Sequence, residues 1–156
     1  RWWPSGRWRR PNRAPDMAYA SRADLELRFG FAEVAQLADP YGTGQADDDV
    51  LGPALADADA EIDAYLVGRY SLPLTAVPSN LVRIACDIAR YRLWKHQASE
   101  EVRQRYADAV RYLERVASGQ IGIGPDASGE TQPGTGGGVA YGASPRRFPD
   151  AAFGDM

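Results

Sequence analysis

The sequence predicts an all-α fold: a small bundle of about five helices followed by a flexible Gly/Pro-rich tail. Three observations carry that expectation. Between Ser21 and Gly119 apolar residues recur at spacings of three and four, as the buried stripe of a helix requires. Ser, Asp and Gly residues punctuate the stripes where caps belong. From Gly124 onward the chain has eight Gly and four Pro in 33 residues, which cannot build a core.

The elements follow in order. Ser21 is a good N-cap, and Asp24 at its N3 position resembles a capping pair. That helix runs through Leu25 to Phe29 and stops at Gly30. A second short helix, "FAEVAQLAD", follows. A long helix is expected from about Asp48 to Gly68, with Leu51, Leu55, Ala58, Ile62 and Tyr65 as its stripe. "RYSLPLTAVPSN" reads as an extended connector, because Pro73 and Pro78 exclude helix and bias the residues before them. Ser79 is expected to cap a helix from about Asn80 to His96. That helix is apolar nearly all round, which places it in the middle of the bundle. Arg83, Asp87 and Arg90 form its narrow polar strip, spaced for salt bridging. Ser99 caps the last helix, with Glu100 and Glu101 in its first turn, where the helix dipole favours acids. Val102, Tyr106, Ala109, Leu113 and Val116 make its stripe, and Gly119 ends it. "QIGIG" after it reads as one short strand.

Between the second and third helices lies "DPYGTGQADDD", residues 39 to 49, which has the look of half a calcium loop. An EF-hand loop needs oxygen ligands at alternate positions and a bidentate Glu at the twelfth. Counted from Asp39, the third place holds Tyr41, the fifth Thr43, the ninth Asp47 and the twelfth Val50, which coordinates nothing. The pattern reads instead as a Gly-rich turn that ends in an Asp N-cap for the next helix.

The chain of 156 residues suffices for one domain with a real core. No apolar run approaches the roughly 20 residues that span a bilayer. The opening "RWWPSGRWRRPNRAPD" lacks an apolar segment of the secretory kind. Residues 1–16 show no periodicity, and the pattern begins at Met17. They read as translated sequence upstream of a start codon; the functional alternative is a basic, aromatic arm for nucleic acid. Cys86 is the single cysteine, which suits a reducing compartment, and Lys95 is the single lysine.

The formal net charge of −3 hides an uneven distribution. Residues 39–63 carry eight acids and no base, whereas residues 83–115 carry eight Arg or Lys against five acids. Such polarity speaks of association and partners rather than of fold. Asp57 with Glu61, and Asp59 with Asp63, stand one helical turn apart. They would hold a metal only if other helices added ligands, and the plainer reading is a solvated face. Like charges at that spacing destabilise an isolated helix, a cost that a basic partner surface would relieve.

Catalysis finds little support. His96 is the single histidine, and it reads as a partner of a helix C-terminal dipole. Cys86 lies in the most apolar helix and reads as a small core residue. There is no second His, no second Cys and no phosphate loop, so triad and zinc patterns are absent. No enzyme, cofactor or metal is expected.

Four segments in unbroken order carry a resemblance: "MAYASRADLELRFG", "ALADADAEIDAYLVGRYSLPL", "VPSNLVRIACDIARYRLW" and "EEVRQRYADAVRYLERVASGQIGIG". Together they cover about residues 17–124. They resemble the small family of Mu-like phage and prophage proteins that looks like the head–tail connectors (adaptors, head completion proteins) of long-tailed phages. The resemblance implies a helical bundle assembled as a ring, a dodecamer, beneath the portal protein. That ring would extend the DNA channel to a neck or tail-completion protein. It also implies a place in the neck of the virion, with assembly in the host cytoplasm, no membrane and no sequence-specific DNA binding. Two departures stand out. The family's turn is often more acidic, closer to Asp-x-Asp-Gly-Asp-Gly, where this chain has Tyr41 and Thr43. The arm at 1–16 is no part of the pattern. The family offers no catalytic residues to carry over.

The expected organisation is thus an extension at 1–16, a helical connector domain at 17–124, and a tail at 125–156. In a ring, Asp57, Asp59, Glu61 and Asp63 of one subunit would face Arg103, Arg105 and Arg111 of the next; alternatively the acids line the lumen and keep DNA from sticking. In the tail, Arg146, Arg147, Phe148 and Phe153 are residue types that anchor interfaces, and they read as a docking motif. The competing function is a small helical nucleic-acid-binding or regulatory protein that uses the basic N-terminal arm. A sequence pI near 5.2 weighs against it, since a basic domain is the rule there.

Overall fold

The computed structural model describes residues 18–94 and 97–125. The extension at 1–16, His96 and the tail motif of Arg146, Arg147, Phe148 and Phe153 lie outside the described residues. Within them the chain forms five α-helices and no strand: α1 (Arg22–Phe29), α2 (Phe31–Ala38), α3 (Asp48–Leu66), α4 (Ser79–Trp94) and α5 (Glu100–Ala117).

The helix starts follow local chemistry. Ser21 and Asp24 make a full capping box, the Ser21 backbone N–H donating to Asp24 at 2.8 Å. The Ser21 hydroxyl, which donates to the same carboxylate at 2.6 Å, and then that N–H hold the Asp24 carboxyl below its ordinary range. Gly30, at φ 85°, ends α1 and at once begins α2. This left-handed backbone lets the chain break between two helices without a linker. Asp47 caps α3 by accepting the Asp49 N–H at 2.9 Å, and Ser99 caps α5 by accepting the Val102 N–H.

Helix α4 sits at the centre and packs on all four other helices. Leu81, Ile84, Ala85, Cys86, Ile88 and Ala89 are all fully buried. Because neighbours cover it on several sides, an apolar surface nearly all round costs nothing in solvent exposure. Leu51, Ala54, Ala58, Ile62 and Leu66 from α3, and Val102, Ala109, Leu113 and Val116 from α5, complete the core. Burial of this kind is worth about 25 cal/mol per Å² of apolar surface.

Four expectations are corrected. Ser79 is not the cap of α4: the carbonyl of Pro78 accepts the Leu81 N–H at 2.9 Å, so Ser79 already occupies the first turn. Proline serves there because a helix start needs no N–H from it. The α3 stripe runs through Ala54 and Leu66, while Leu55 and Tyr65 are only half-buried. Packing against two helices at once rotates the buried line off the simple sequence stripe. Arg90 does not pair along its own helix with Asp87; it reaches Glu33 on α2 at 2.6 Å. Finally "QIGIG" is a coil clipped to the bundle. Ile123 is fully buried, its N–H donates to the Tyr70 hydroxyl at 3.3 Å, and the Tyr112 hydroxyl donates to the Gly122 carbonyl at 3.2 Å. The Gln120 and Ile121 N–H groups fold back onto the Arg115 carbonyl at 3.0 and 3.3 Å, so the segment's polar backbone is met by the end of α5 and by tyrosine hydroxyls.

Candidate functional site

The two charged faces that the sequence singles out are built around α3 on one side and the α4–α5 contact on the other. On α3, a spacing of four puts Asp59 and Asp63 on one line. Tyr19 spans both: its N–H donates to Asp59 at 3.0 Å and its hydroxyl to Asp63 at 2.6 Å. Glu61 lies round the helix from that line, toward α4 and α5. It accepts Arg92 of α4 at 2.8 Å and the hydroxyl of Tyr106 of α5 at 2.8 Å. The Tyr106 ring stacks on Tyr91, centroids 4.2 Å apart and planes 9° from parallel. Burial, together with the bond to Glu61, pushes the Tyr106 phenol up to about 12. Arg92 is held above its ordinary value, first by its bond to Glu61. Glu61 therefore ties α3 to α4 and α5, and Asp59 and Asp63 hold the segment before α1, whereas Asp57 stands exposed.

The basic face is organised by one buried acid. Asp87 is 4% exposed, with Arg83 at 3.2 Å and Arg105 at 3.9 Å. Burial raises its carboxyl above the ordinary value, and Arg83, Arg105, Arg28 and Arg90 pull in the opposite direction. Arg105 also bonds Glu101 at 3.0 Å, and Arg111 bonds Asp108 at 3.2 Å, both along α5. Arg103 stands 3.7 Å from Glu100 and keeps more than half its side chain in solvent. Arg90 lies 4.5 Å above the ring of Phe29, a cation–π contact that ties α1 to α4.

The turn at 39–49 uses its acids on itself. Asp39 accepts the Gly44 N–H at 2.6 Å, the Tyr41 N–H at 3.2 Å and the Thr43 hydroxyl at 3.3 Å. Backbone donors, that of Thr43 first, lower its carboxyl below the ordinary range. Gly42 and Gly44 supply the positive φ angles that close the turn. The Gly-rich turn ending in an Asp N-cap, as read from the sequence, is the geometry seen here.

Cys86 is fully buried, and burial pushes its thiol up to about 11, the reverse of what a nucleophile needs. Among the described residues no group of three or more His, Cys, Asp or Glu is placed to hold a metal. No helix there is long and apolar enough to cross a membrane.

Sequence reasoning missed Tyr19, Arg92 and the hydroxyl role of Tyr106. Tyr106 was legible as a stripe residue, but its polar tip finds Glu61 only once α3 and α5 cross. Tyr19 precedes the first cap and carries no periodic signal at all.

Comparison with known proteins gives the chain its relatives. The family model described as "Bacteriophage Mu, Gp36" matches residues 19–141. A protein named Mu-like prophage FluMu protein gp36, from Haemophilus influenzae, is 43% identical over 113 residues, covering 72% of this chain and 80% of the relative. Gene product J of Escherichia phage Mu is 41% identical over 118 residues, covering 75% of this chain and 84% of the relative. The matched region contains all five helices and both charged faces, and the chain belongs to the Mu Gp36 family of phage and prophage proteins.

Proposed function

We propose that this protein is a non-enzymatic structural component of the virion, a head–tail connector that assembles as a ring below the portal. The ring, taken as a dodecamer, extends the DNA channel toward a neck or tail-completion protein, and it forms in the host cytoplasm. Family membership supports a phage role. The observation that carries the finer reading is the contrast between α3, whose charged residues are all acids, and the α4–α5 side, whose exposed arginines are interleaved with the acids they pair with. Asp57, with Asp48 and Asp49 at the start of α3, is exposed on the first; Arg83, Arg103, Arg105 and Arg111 are exposed on the second. Head-to-tail contacts join unlike patches of neighbouring copies, and they close into a ring where the rotation between copies returns on itself. In that contact the acidic side, Asp57 foremost of Asp57, Asp59, Glu61 and Asp63, faces Arg103, Arg105 and Arg111 of the next copy. The buried, undissociated thiol of Cys86 suits a packing role.

The tail residues Arg146, Arg147, Phe148 and Phe153 complete the proposal as a docking motif for the portal or the next neck protein. Mass measurement of the purified protein, alone and mixed with portal, tests the reading. A closed multimer in either sample supports it. A monomer in both overturns it. Particles assembled with a chain ending at Gly124 should fail to join tails, and normal joining would remove the docking role.

A further inference from the structure

Helices α3 and α5 end, and α4 begins, at one pole of the bundle. The Arg69 guanidinium, just past α3, donates to the Val116 carbonyl of α5 at 3.2 Å. Asn80, in the first turn of α4, lies against Gly124: a Cβ added there would stand 2.9 Å from the Asn80 amide nitrogen. The turn at 39–49 leads into the far end of α3, which has 19 residues and is about 28 Å long.

The chain leaves the described bundle at this exit pole, but not from the end of α5. Six residues beyond Ala117, Ile123 is fully buried. Its N–H donates to the Tyr70 hydroxyl at 3.3 Å, and the Tyr112 hydroxyl donates to the Gly122 carbonyl at 3.2 Å. Tyr70 is itself buried, so its hydroxyl is a fixed point. Helix α5 is already ended by the Ser118 and Gly119 N–H groups, which donate to the carbonyls of Glu114 and Val116. The contacts of Gly122, Ile123 and Gly124 are therefore not needed to stop the helix. Chain ends are loose unless tied down, and this stretch is tied by an apolar plug and two hydroxyls.

Reach then limits what the tail can meet. Twenty residues separate Pro125 from Arg146. A Gly-rich chain of that length spans roughly 25 Å on average, no more than the length of α3. Arg146, Arg147, Phe148 and Phe153 thus work around the exit pole, and a partner beyond the far pole is outside their ordinary range. The match to the Mu Gp36 family continues past Ile123 through residue 141, so the anchored coil and most of the spacer belong to one matched unit.

We infer that residues 119–125 anchor the tail, and that Ile123, gripped through Tyr70 and Tyr112, fixes its exit at the pole where the tail's partner is met. This anchor rests on the docking reading of the tail and adds where the partner sits. Ile123 is a positioning residue: it acts through the start of the spacer rather than by touching the partner. Spacer length has a weak effect on a tethered contact, whereas the point from which the tether starts decides which surfaces it can reach.

The test is the joining of heads to tails by particles that carry the full chain or its variants. Ile123→Ser should free the coil, read as faster amide exchange at Gly122, Ile123 and Gly124 with unchanged helical circular dichroism. It should also cut joining about fivefold or more. Tyr70→Phe combined with Tyr112→Phe keeps both rings, removes both hydroxyls and should act in the same direction. That pair carries the test if the serine disturbs the helices. Ten Gly/Ser residues inserted after Pro125 lengthen the spacer, leave the anchor whole and should change joining by no more than about twofold. A larger gain on insertion would put the partner farther off and overturn the placement. A loss as deep as that of Ile123→Ser would show that length decides, and would overturn the anchor. A chain ending at Gly124 that joins normally removes the docking reading and the anchor with it. If that chain fails while a variant with a freed coil joins like wild type, the docking reading stands and the anchor is wrong.

Discussion

Tyr19 and Asp63, 44 positions apart, are joined by a hydrogen bond of 2.6 Å between the phenol and the carboxylate. The same tyrosine's N–H holds Asp59 at 3.0 Å. The segment before α1 is thereby pinned along the middle of α3. Tyr19→Phe keeps the ring, which is 4% exposed, and removes the donor. It should cost about 1–2 kcal/mol in urea unfolding, since a half-buried carboxylate loses a charge-assisted bond. An unchanged midpoint would show that water replaces the phenol without loss.

Tyr106 governs the alkaline limb of stability. Its phenol ordinarily titrates near 10 and is pushed up to about 12 in the folded protein. A raised folded value means that its contribution is whole below about pH 10 and is lost as pH rises through about 12. Tyr106→Phe preserves the stack on Tyr91. It should lower stability by about 1 kcal/mol at pH 8 and flatten the loss above pH 10. Urea unfolding across that range, with ultraviolet titration of the phenols, reads both effects.

Asp87 acts at the acid end with the opposite consequence from an ordinary salt-bridged carboxylate. Burial raises its folded value, so the native state holds the proton more tightly than the unfolded chain. Its ionisation costs stability as pH rises from the ordinary carboxylate value through the raised one. Asp87→Asn should remove that slope from an acid unfolding series. A slope identical to wild type would place the titration elsewhere.

Gly119 ends α5 at φ 81°, and an added Cβ would collide with the Arg69 guanidinium. That guanidinium donates to the Val116 carbonyl at 3.2 Å, which also accepts the Gly119 N–H at 3.0 Å. Gly119→Ala should cost about 1 kcal/mol or more in thermal unfolding. Adding Arg69→Ala relieves the collision and leaves the backbone strain, so the double variant should stay below Arg69→Ala alone. Equal stability of those two would refute the strain.

The turn at 39–49 should ignore calcium. Asp39 is already occupied by its own loop, and Val50 cannot close a site. Isothermal titration should show no binding tighter than about millimolar. Asp39→Ala should cost about 1 kcal/mol of stability with or without calcium. A micromolar site would contradict the geometry.

Much of the fold was legible in advance because its signals are local. The Ser21–Asp24 box, the Gly30 break, the Ser99 cap and the Gly119 stop each depend on a few adjacent residues, and each was found where the pattern placed it. The central position of α4 was legible too, since only a helix with neighbours on several sides can be apolar nearly all round. The strand read at 120–124 is instead a coil held by Arg115, Tyr70 and Tyr112, contacts that no local pattern announces.

For the charged faces the division is sharper. The chain alone determined that acids gather on α3 and arginines on α4 and α5. Their spacing assigns only one-turn pairs such as Arg83–Asp87, because i and i+4 rules describe one helix at a time. The crossing of α3, α4 and α5 gave Glu61 to Arg92 and Tyr106, gave Asp63 to Tyr19, and buried Asp87 under Arg83 and Arg105. Such contacts join residues 18 to 45 positions apart, except for the one-turn Arg83–Asp87 pair. Their choice follows from where packing carries each side chain, and a periodicity read along one helix holds no information about that.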